Sequence, residues 1–144
     1  MKKYLTIIAG LLIVVGFSSC TKEYYDEYYD MVPNQTFIYE IPQNSWAWED
    51  GVDHQVFHTK SLPELTDYYV LEGSVSAAIS FDGEASYDIL PTTFNGIAYS
   101  VNYTDGAVTI FAEDPLADPG IEIPLPENAV VKVILSDSEF IREF

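Results

Sequence analysis

From residue 35 onward the chain alternates. In Gln35–Ile41, Phe37, Tyr39 and Ile41 fall on one face and Thr36, Ile38 and Glu40 on the other, which predicts a half-buried strand. Pro42 ends it, having no N–H to give to a ladder. The same period of two sets Val75, Ala77, Ile79 and Phe81 against Ser74, Ser76, Ala78 and Ser80. It returns where Ile97, Tyr99, Val101 and Tyr103 alternate with Ala98, Ser100 and Asn102. Residues 54–60 predict a further strand, 86–90 a short one before Pro91, and 107–113 the second arm of a hairpin closed by Asp105-Gly106. Residues 129–135 are apolar on nearly both faces, as a central strand should be. Glu49-Asp50-Gly51, Asp82-Gly83 and Asn95-Gly96 predict turns, and residues 114–128, with four prolines, a long loop.

One segment breaks the alternation. Ser61-Leu62-Pro63-Glu64 has the spacing of a capping box, in which the serine hydroxyl accepts from the N–H three residues on and the glutamate returns the bond. Pro63 in the first turn and the acids Glu64 and Asp67 near the positive end of the dipole agree with a helix start. Leu62, Leu65 and Tyr69 lie at helical spacing, and Gly73 supplies the stop. Many short strands at regular spacing with one helix predict a mainly β chain, an antiparallel β-sandwich over residues 35–144. At roughly 110 residues this is one domain.

The first nineteen residues read differently. Lys2 and Lys3 are followed by a run, Tyr4 to Phe17, that is apolar except for Thr6. It is shorter than the ~20 residues needed to cross a ~30 Å hydrocarbon core. A positive start, a short apolar run and small residues after it describe an export signal. The only cysteine, Cys20, comes next, after Phe17-Ser18-Ser19. This segment resembles a bacterial lipoprotein signal: an apolar residue, two small residues, then an obligatory cysteine. Phe17 stands where leucine is usual and Ser19 where glycine or alanine is usual. The resemblance implies that Cys20 is the first mature residue, carrying a diacylglycerol thioether and an acylated amine. Several chains suit a lasting anchor, because each buried CH₂ contributes ~0.8 kcal/mol and a single chain binds marginally. The competing reading of Cys20 is a buried structural thiol acting as a small hydrophobe. A single cysteine forms no intramolecular disulfide.

Residues 20–34 follow as a tether. Thr21-Lys22-Glu23-Tyr24-Tyr25-Asp26-Glu27-Tyr28-Tyr29-Asp30 is acidic and tyrosine-rich, and its carboxylates repel one another. The stretch resembles the acidic segment after the lipidated cysteine of surface-exported lipoproteins of the Bacteroidetes type. Thr21 stands in place of the aspartate that marks inner-membrane retention in enteric bacteria. An ordinary solvated linker is the plainer reading, and the tyrosine pairs also suit a partner surface. In the domain, Trp46/Trp48, "FHTKSLPELTDYYVLEGSVSAAI", "LPTTF", "YTDGAVTIF" and "VVKVIL" together look like a family of small β-rich Bacteroidetes lipoproteins of unknown function. That likeness implies a fold and no catalytic residues.

Charge narrows the partners. Six basic and twenty-three acidic residues give a net charge of −17. Removing residues 1–19 takes away two lysines and no acids, leaving four basic against twenty-three acidic residues and a charge of −19. Nucleic acid is therefore not expected as a partner, since affinity for phosphates comes largely from Lys and Arg. An anionic lipid surface repels such a domain, so the lipid at Cys20 must do the anchoring. The abundance of aromatic and β-branched residues argues for a packed core despite the charge.

Candidate chemistry is sparse. His54-Gln55-Val56-Phe57-His58 has two imidazoles four residues apart, as in HExxH, but Gln55 replaces the glutamate base and no third histidine exists. On a strand the two positions are ~13 Å apart and share no metal. The acids Glu49/Asp50/Asp53, Glu113/Asp114/Asp118 and Asp137/Glu139 are candidates for a glycosidase pair, and the first two clusters for calcium ligation without an EF-hand pattern, but in so acidic a chain solvated loop acids are the better reading. Ser/His/Asp catalysis lacks a GxSxG elbow, and no phosphate-cradling GxGxxG or P-loop occurs. Trp46 and Trp48 flank Ala47, so in an extended segment both indoles point the same way. Flat apolar rings suit sugar C–H faces, which makes Trp46 and Trp48 the candidate ligand-binding residues, although large aromatics are more often core.

These readings predict a lipid-anchored cell-envelope protein, on the outer membrane, with surface exposure left open. The expected role is non-enzymatic binding or structure, with no cofactor and no metal, and with a glycan or an envelope protein as partner. The alternatives are a carbohydrate-binding lipoprotein using Trp46 and Trp48, and a glycan hydrolase using paired acids.

Overall fold

Alternating side chains need a second layer to bury them, and the computed structural model supplies two. It describes residues 34–51, 54–116, 118 and 120–138. Its elements are β1 (Gln35–Ile41), β2 (Ala47–Trp48), β3 (Gln55–Ser61), α1 (Asp67–Leu71), β4 (Ser74–Ser80), β5 (Asp88–Ile89), β6 (Thr92–Phe94), β7 (Ile97–Thr104), β8 (Ala107–Glu113) and β9 (Ala129–Ser136). One sheet has the order β1-β9-β4-β5 and the other β2-β3-β8-β7-β6, with every pairing antiparallel. Together with the short helix this is the expected β-sandwich. Cys20 and the rest of residues 1–33 lie outside the described residues.

Register places the core. Val131, Val133 and Leu135 of β9 are fully buried, and their partners Tyr39, Phe37 and Gln35 on β1 and Ile79, Ala77 and Val75 on β4 share their face. From the facing sheet Val56, Val108, Ile110 and Ala112 point back at them, all without exposed surface. Each such Val, Leu or Ile contributes ~1.5–3 kcal/mol of burial. The loop of residues 114–128 adds Ile123 to the same cluster.

The helix departs from expectation. Ser61 is the last residue of β3, paired with Ala107, and caps nothing. The Leu62 N–H bonds to the Gly106 carbonyl at 2.8 Å, and the Gly106 N–H returns a bond to Leu65 at 2.7 Å. Backbone groups that a first helical turn would use are thus taken by the tip of the β7–β8 hairpin. The helix begins only at Asp67, after Thr66, whose side chain makes no capping bond. Leu62, Leu65 and Tyr69 are buried nonetheless, so the apolar spacing identified core residues while misreading their backbone. Similarly the strand expected over 86–90 shrinks to β5, because Asp82 takes the Ser86 N–H at 3.0 Å.

The sandwich has two distinct poles. The chain joins it at the near pole, where Gln35 opposes Leu135 and the Asp137 N–H bonds to Asn34 Oδ1 at 2.8 Å. Also there, α1 packs against β4 and β7, and Tyr68 donates to Asp137. The far pole, ~20 Å away along β1 by the strand rise, holds Ile41, Ser80 and Ala129.

Gly73 joins α1 to β4 for want of space. A Cβ there would stand 3.0 Å from the Ser136 carbonyl oxygen and 3.0 Å from Tyr69 Cα, and backbone yields little. Gly73→Ala is expected to destabilise the domain by ~1–3 kcal/mol, as overpacking does. Denaturant midpoints at unchanged m-value check this; an unchanged midpoint would contradict it.

Candidate functional site

The far pole gathers an aromatic cluster of two half-buried phenylalanines and a buried tyrosine. Phe81 follows β4, Phe94 ends β6 and Tyr99 lies on β7 opposite Thr92. Asn95-Gly96 turns β6 into β7 with φ of 50° and 81°, the left-handed pair that a two-residue hairpin needs and that Asn and Gly supply. Phe81 and Phe94 stack with centroids 4.3 Å apart at 6°, and Tyr99 tilts against Phe81 at 5.0 Å.

Three clefts meet at Phe81. The largest, about 350 Å³, runs between Glu40, Pro42, Ser80, Phe81 and Asn128. A second, about 290 Å³, lies between Gln43, Phe94, Tyr99 and the Pro124–Glu127 segment. The smallest, about 90 Å³, is bounded by Asp82, Ser86 and Asp88. Gln43 divides the first two: its N–H bonds to Asn128 Oδ1 at 2.8 Å and its Nε2 to the Leu125 carbonyl at 3.1 Å. Neither lysine nor arginine lines any of the three. Aromatic faces beside amides and carboxylates suit uncharged or cationic hydrogen-bonding ligands and disfavour anions. Burial, and then the Glu127 carboxylate, push the Tyr99 phenol up to about 12, so it stays a neutral donor.

The loop beside these clefts is held by one carboxylate. Asp82 accepts from Ser86 Oγ at 2.6 Å, the Ser86 N–H at 3.0 Å and Ser80 Oγ at 2.8 Å. Those bonds, Ser86 foremost, lower its pKa to about 2. An acid catalyst needs the opposite shift. Glu84 takes a positive φ of 71°, fixed by its N–H to Ser80 Oγ at 3.0 Å and by Tyr87 donating to its carboxylate at 2.7 Å.

The two tryptophans separate. Trp48 opposes fully buried Val56 and so faces inward, as Trp46 does against His58 and Tyr99, both at about 6.5 Å or less between rings. The shared direction holds but the cover does not: Trp46 is 6% exposed and Trp48 is 38% exposed. A platform needing both indoles is therefore not formed, because Trp46 is core. His54 is exposed in a turn, while His58 on β3 donates from Nδ1 to the Ser45 carbonyl at 3.2 Å and lies between Tyr39 and Trp46. Burial raises the Tyr39 phenol to about 12. Among the described residues no three His, Cys, Asp or Glu side chains converge as a metal would require; Asp53 and Glu139 lie outside them. Phe81 and Tyr99 were legible only as strand residues, and β6 with Phe94 was not foreseen, although the turn residues in "FDG" and "FNG" place both phenylalanines next to loops. No protein-family model, curated protein or solved structure matches the chain.

Two outcomes follow. Trp46→Ala should cost ~3–5 kcal/mol, as large buried aromatics do, and Trp48→Ala about 1 kcal/mol, read from urea unfolding; equal losses would refute the division. Asp82 has a folded pKa below the ordinary aspartate value of 3.8, so its contribution is complete above that value and fades as pH falls toward about 2. Protection of the amides in residues 80–87, taken relative to the intrinsic exchange rate at each pH, should therefore fall across that window, and Asp82→Ala should make that protection independent of pH there.

Proposed function

We propose that the protein is a lipid-anchored cell-envelope protein of the outer membrane, held through Cys20, with a non-enzymatic binding role. The observation that carries this reading is the position of the only cysteine, directly after a positive, apolar, small-residue segment too short to span a membrane. The fold is compatible with it. The clefts around Phe81 lie at the pole opposite Asn34, the first described residue. Their lining of aromatic faces, amides and carboxylates supports binding, and the lowered pKa of Asp82 gives no support to an acid catalyst there.

Glycan is the ligand class favoured by one specific observation: Trp48 presents an indole with 38% exposure. In this second reading Trp48 alone, or with the Phe81 clefts, supplies the sugar contact, and Trp46 serves the core.

Intact mass of the membrane-extracted protein tests the anchor. The expected species begins at residue 20 and carries acyl mass, and Cys20→Ala abolishes both acylation and membrane retention. A native protein that is unacylated and retains residues 1–19 would overturn the reading. Glycan arrays with wild type and Trp48→Ala test the ligand: the variant should lose binding while keeping its fold.

A further inference from the structure

We propose that the free edge of β1 is a docking site for one extended strand from another polypeptide, apolar at alternate residues and without net negative charge. The first sheet ends on β1, and among the described residues no backbone hydrogen bond reaches β1 from the side away from β9. Alternate N–H and C=O groups of a seven-residue strand therefore face outward. Its pairing with β9 runs unbroken from Gln35↔Leu135 to Ile41↔Ala129, and it has no bulge, proline or lysine to blunt the edge. Ile38, at its centre, is 52% exposed.

Every other edge is treated differently. On the far side of the same sheet β5 pairs with Ala78 and Ile79, the Leu90 N–H bonds to Ala77 at 2.9 Å, and α1 packs against β4. In the second sheet β6 and α1 lie against β7, and β2 covers Val56 and Phe57 of β3. The remaining edge of β3 carries Lys60.

Unequal layers supply a second, independent observation. Tyr39 packs on His58 with ring centroids 6.3 Å apart, and Lys60 Nζ lies 5.6 Å from the Tyr39 centroid, so β1 stacks over β3. β2 stands one strand further out, and among the described residues the first sheet has no strand across from it. That is why Trp48 can face inward and still be exposed. A strand added to β1 at the usual ~4.8 Å would lie over β2 and cover the indole. A second copy pairing β1 to β1 does not fit, because its β3 would fall in the place that β2 fills.

Charge selects among strands. Glu40 lies on the outer face of β1, Glu49 and Asp50 follow Trp48, and the whole chain carries −17. An acidic strand, such as this chain's own segment with Glu23, Asp26, Glu27 and Asp30, would set like charges side by side. Inward residues of the guest meet Trp48, Tyr39 and His58, hence the apolar alternation. Main-chain bonds supply affinity and the aromatic contacts supply register, as in other cases of strand addition. The site does not depend on the anchor at Cys20.

The test uses the full chain in detergent and a nine-residue peptide alternating valine and threonine with a lysine at each end. A second peptide has proline in place of the central valine. At saturation the first peptide should slow exchange of the outward amides of residues 35–41 about tenfold and shift tryptophan emission to the blue. The proline peptide should do neither, and Trp48→Ala should weaken binding about tenfold with the fold intact. No slowing at millimolar peptide, equal action of the proline peptide, or β1 amides already slow in the chain alone would each overturn the proposal. So would protection that rises with protein concentration alone, since a second copy would then fill the edge.

Discussion

The sandwich depends on β9 being paired along both of its edges. Each residue from Val130 to Leu135 has a partner on β1 and another on β4, and β1 and β4 do not pair with each other. Remove β9 and the first sheet has nothing to join its two long strands. The inward row of Val131, Val133 and Leu135 also forms the floor onto which Ile110 and Val108 pack from the other sheet. The strand that performs this work comes last in the domain, and one of its partners comes first. Closing the first sheet thus requires a loop over nearly the whole domain, a topology that makes β proteins slow to fold. In the second sheet β6, β7 and β8 are neighbours joined by two-residue turns, and only the β3–β8 pairing is long-range. The β6–β7–β8 meander is a ready local template, and the non-local strands β3, β1 and β9 complete the sandwich.

That difference also explains what could be read from the sequence. Period-two alternation identified β1, β4 and β7, because one face of each is buried and the pattern records which. The turns Asn95-Gly96 and Asp105-Gly106 were legible since the backbone conformation itself demands those residues. Ser61 was not, because its competing ladder bond to β8 is invisible locally. Nor was the unequal cover of Trp46 and Trp48: their common direction follows from spacing, but their exposure depends on how many strands the opposite sheet has. The far-pole clefts escaped notice for the same reason, since Phe81, Phe94 and Tyr99 come together only through the stacking of two sheets. Sequence pattern reports which face a residue occupies; it says little about where a sheet stops.

An excess of carboxylates of this size needs management. Lys60 and Lys132 are drawn over the rings of Tyr39 and Tyr87, at 5.6 and 3.8 Å from the centroids. Aromatic faces thus serve as their partners, and Lys132 spends its charge on the outer face of the first sheet, opposite Ile38. Asp82 is satisfied by hydroxyl and amide donors. The acids elsewhere in the described structure sit on loops and strand exteriors, where water screens them. Among the described residues the core therefore carries no buried charged side chain.

The two exposed features of the domain use different physics, and this bears on how each would recognise a partner. At the far pole the groups on offer are side chains: rings, amides and carboxylates whose identity selects a ligand. Along β1 they are backbone groups, common to every chain, and selection falls to charge and to the indole of Trp48. A site of the first kind tolerates sequence change poorly, because Phe81 or Glu127 replaced is chemistry lost. A site of the second kind tolerates much, provided that the strand stays straight and its edge stays open. Gln35–Ile41 has both properties, and it runs from the pole where the chain joins the domain to the pole where the clefts lie. Occupancy of that edge would reach Ile41 and Pro42, which border the largest cleft. A guest strand would thus end beside the side-chain site, and whatever straightens or shifts β1 would be felt by Glu40 and Pro42 in its wall.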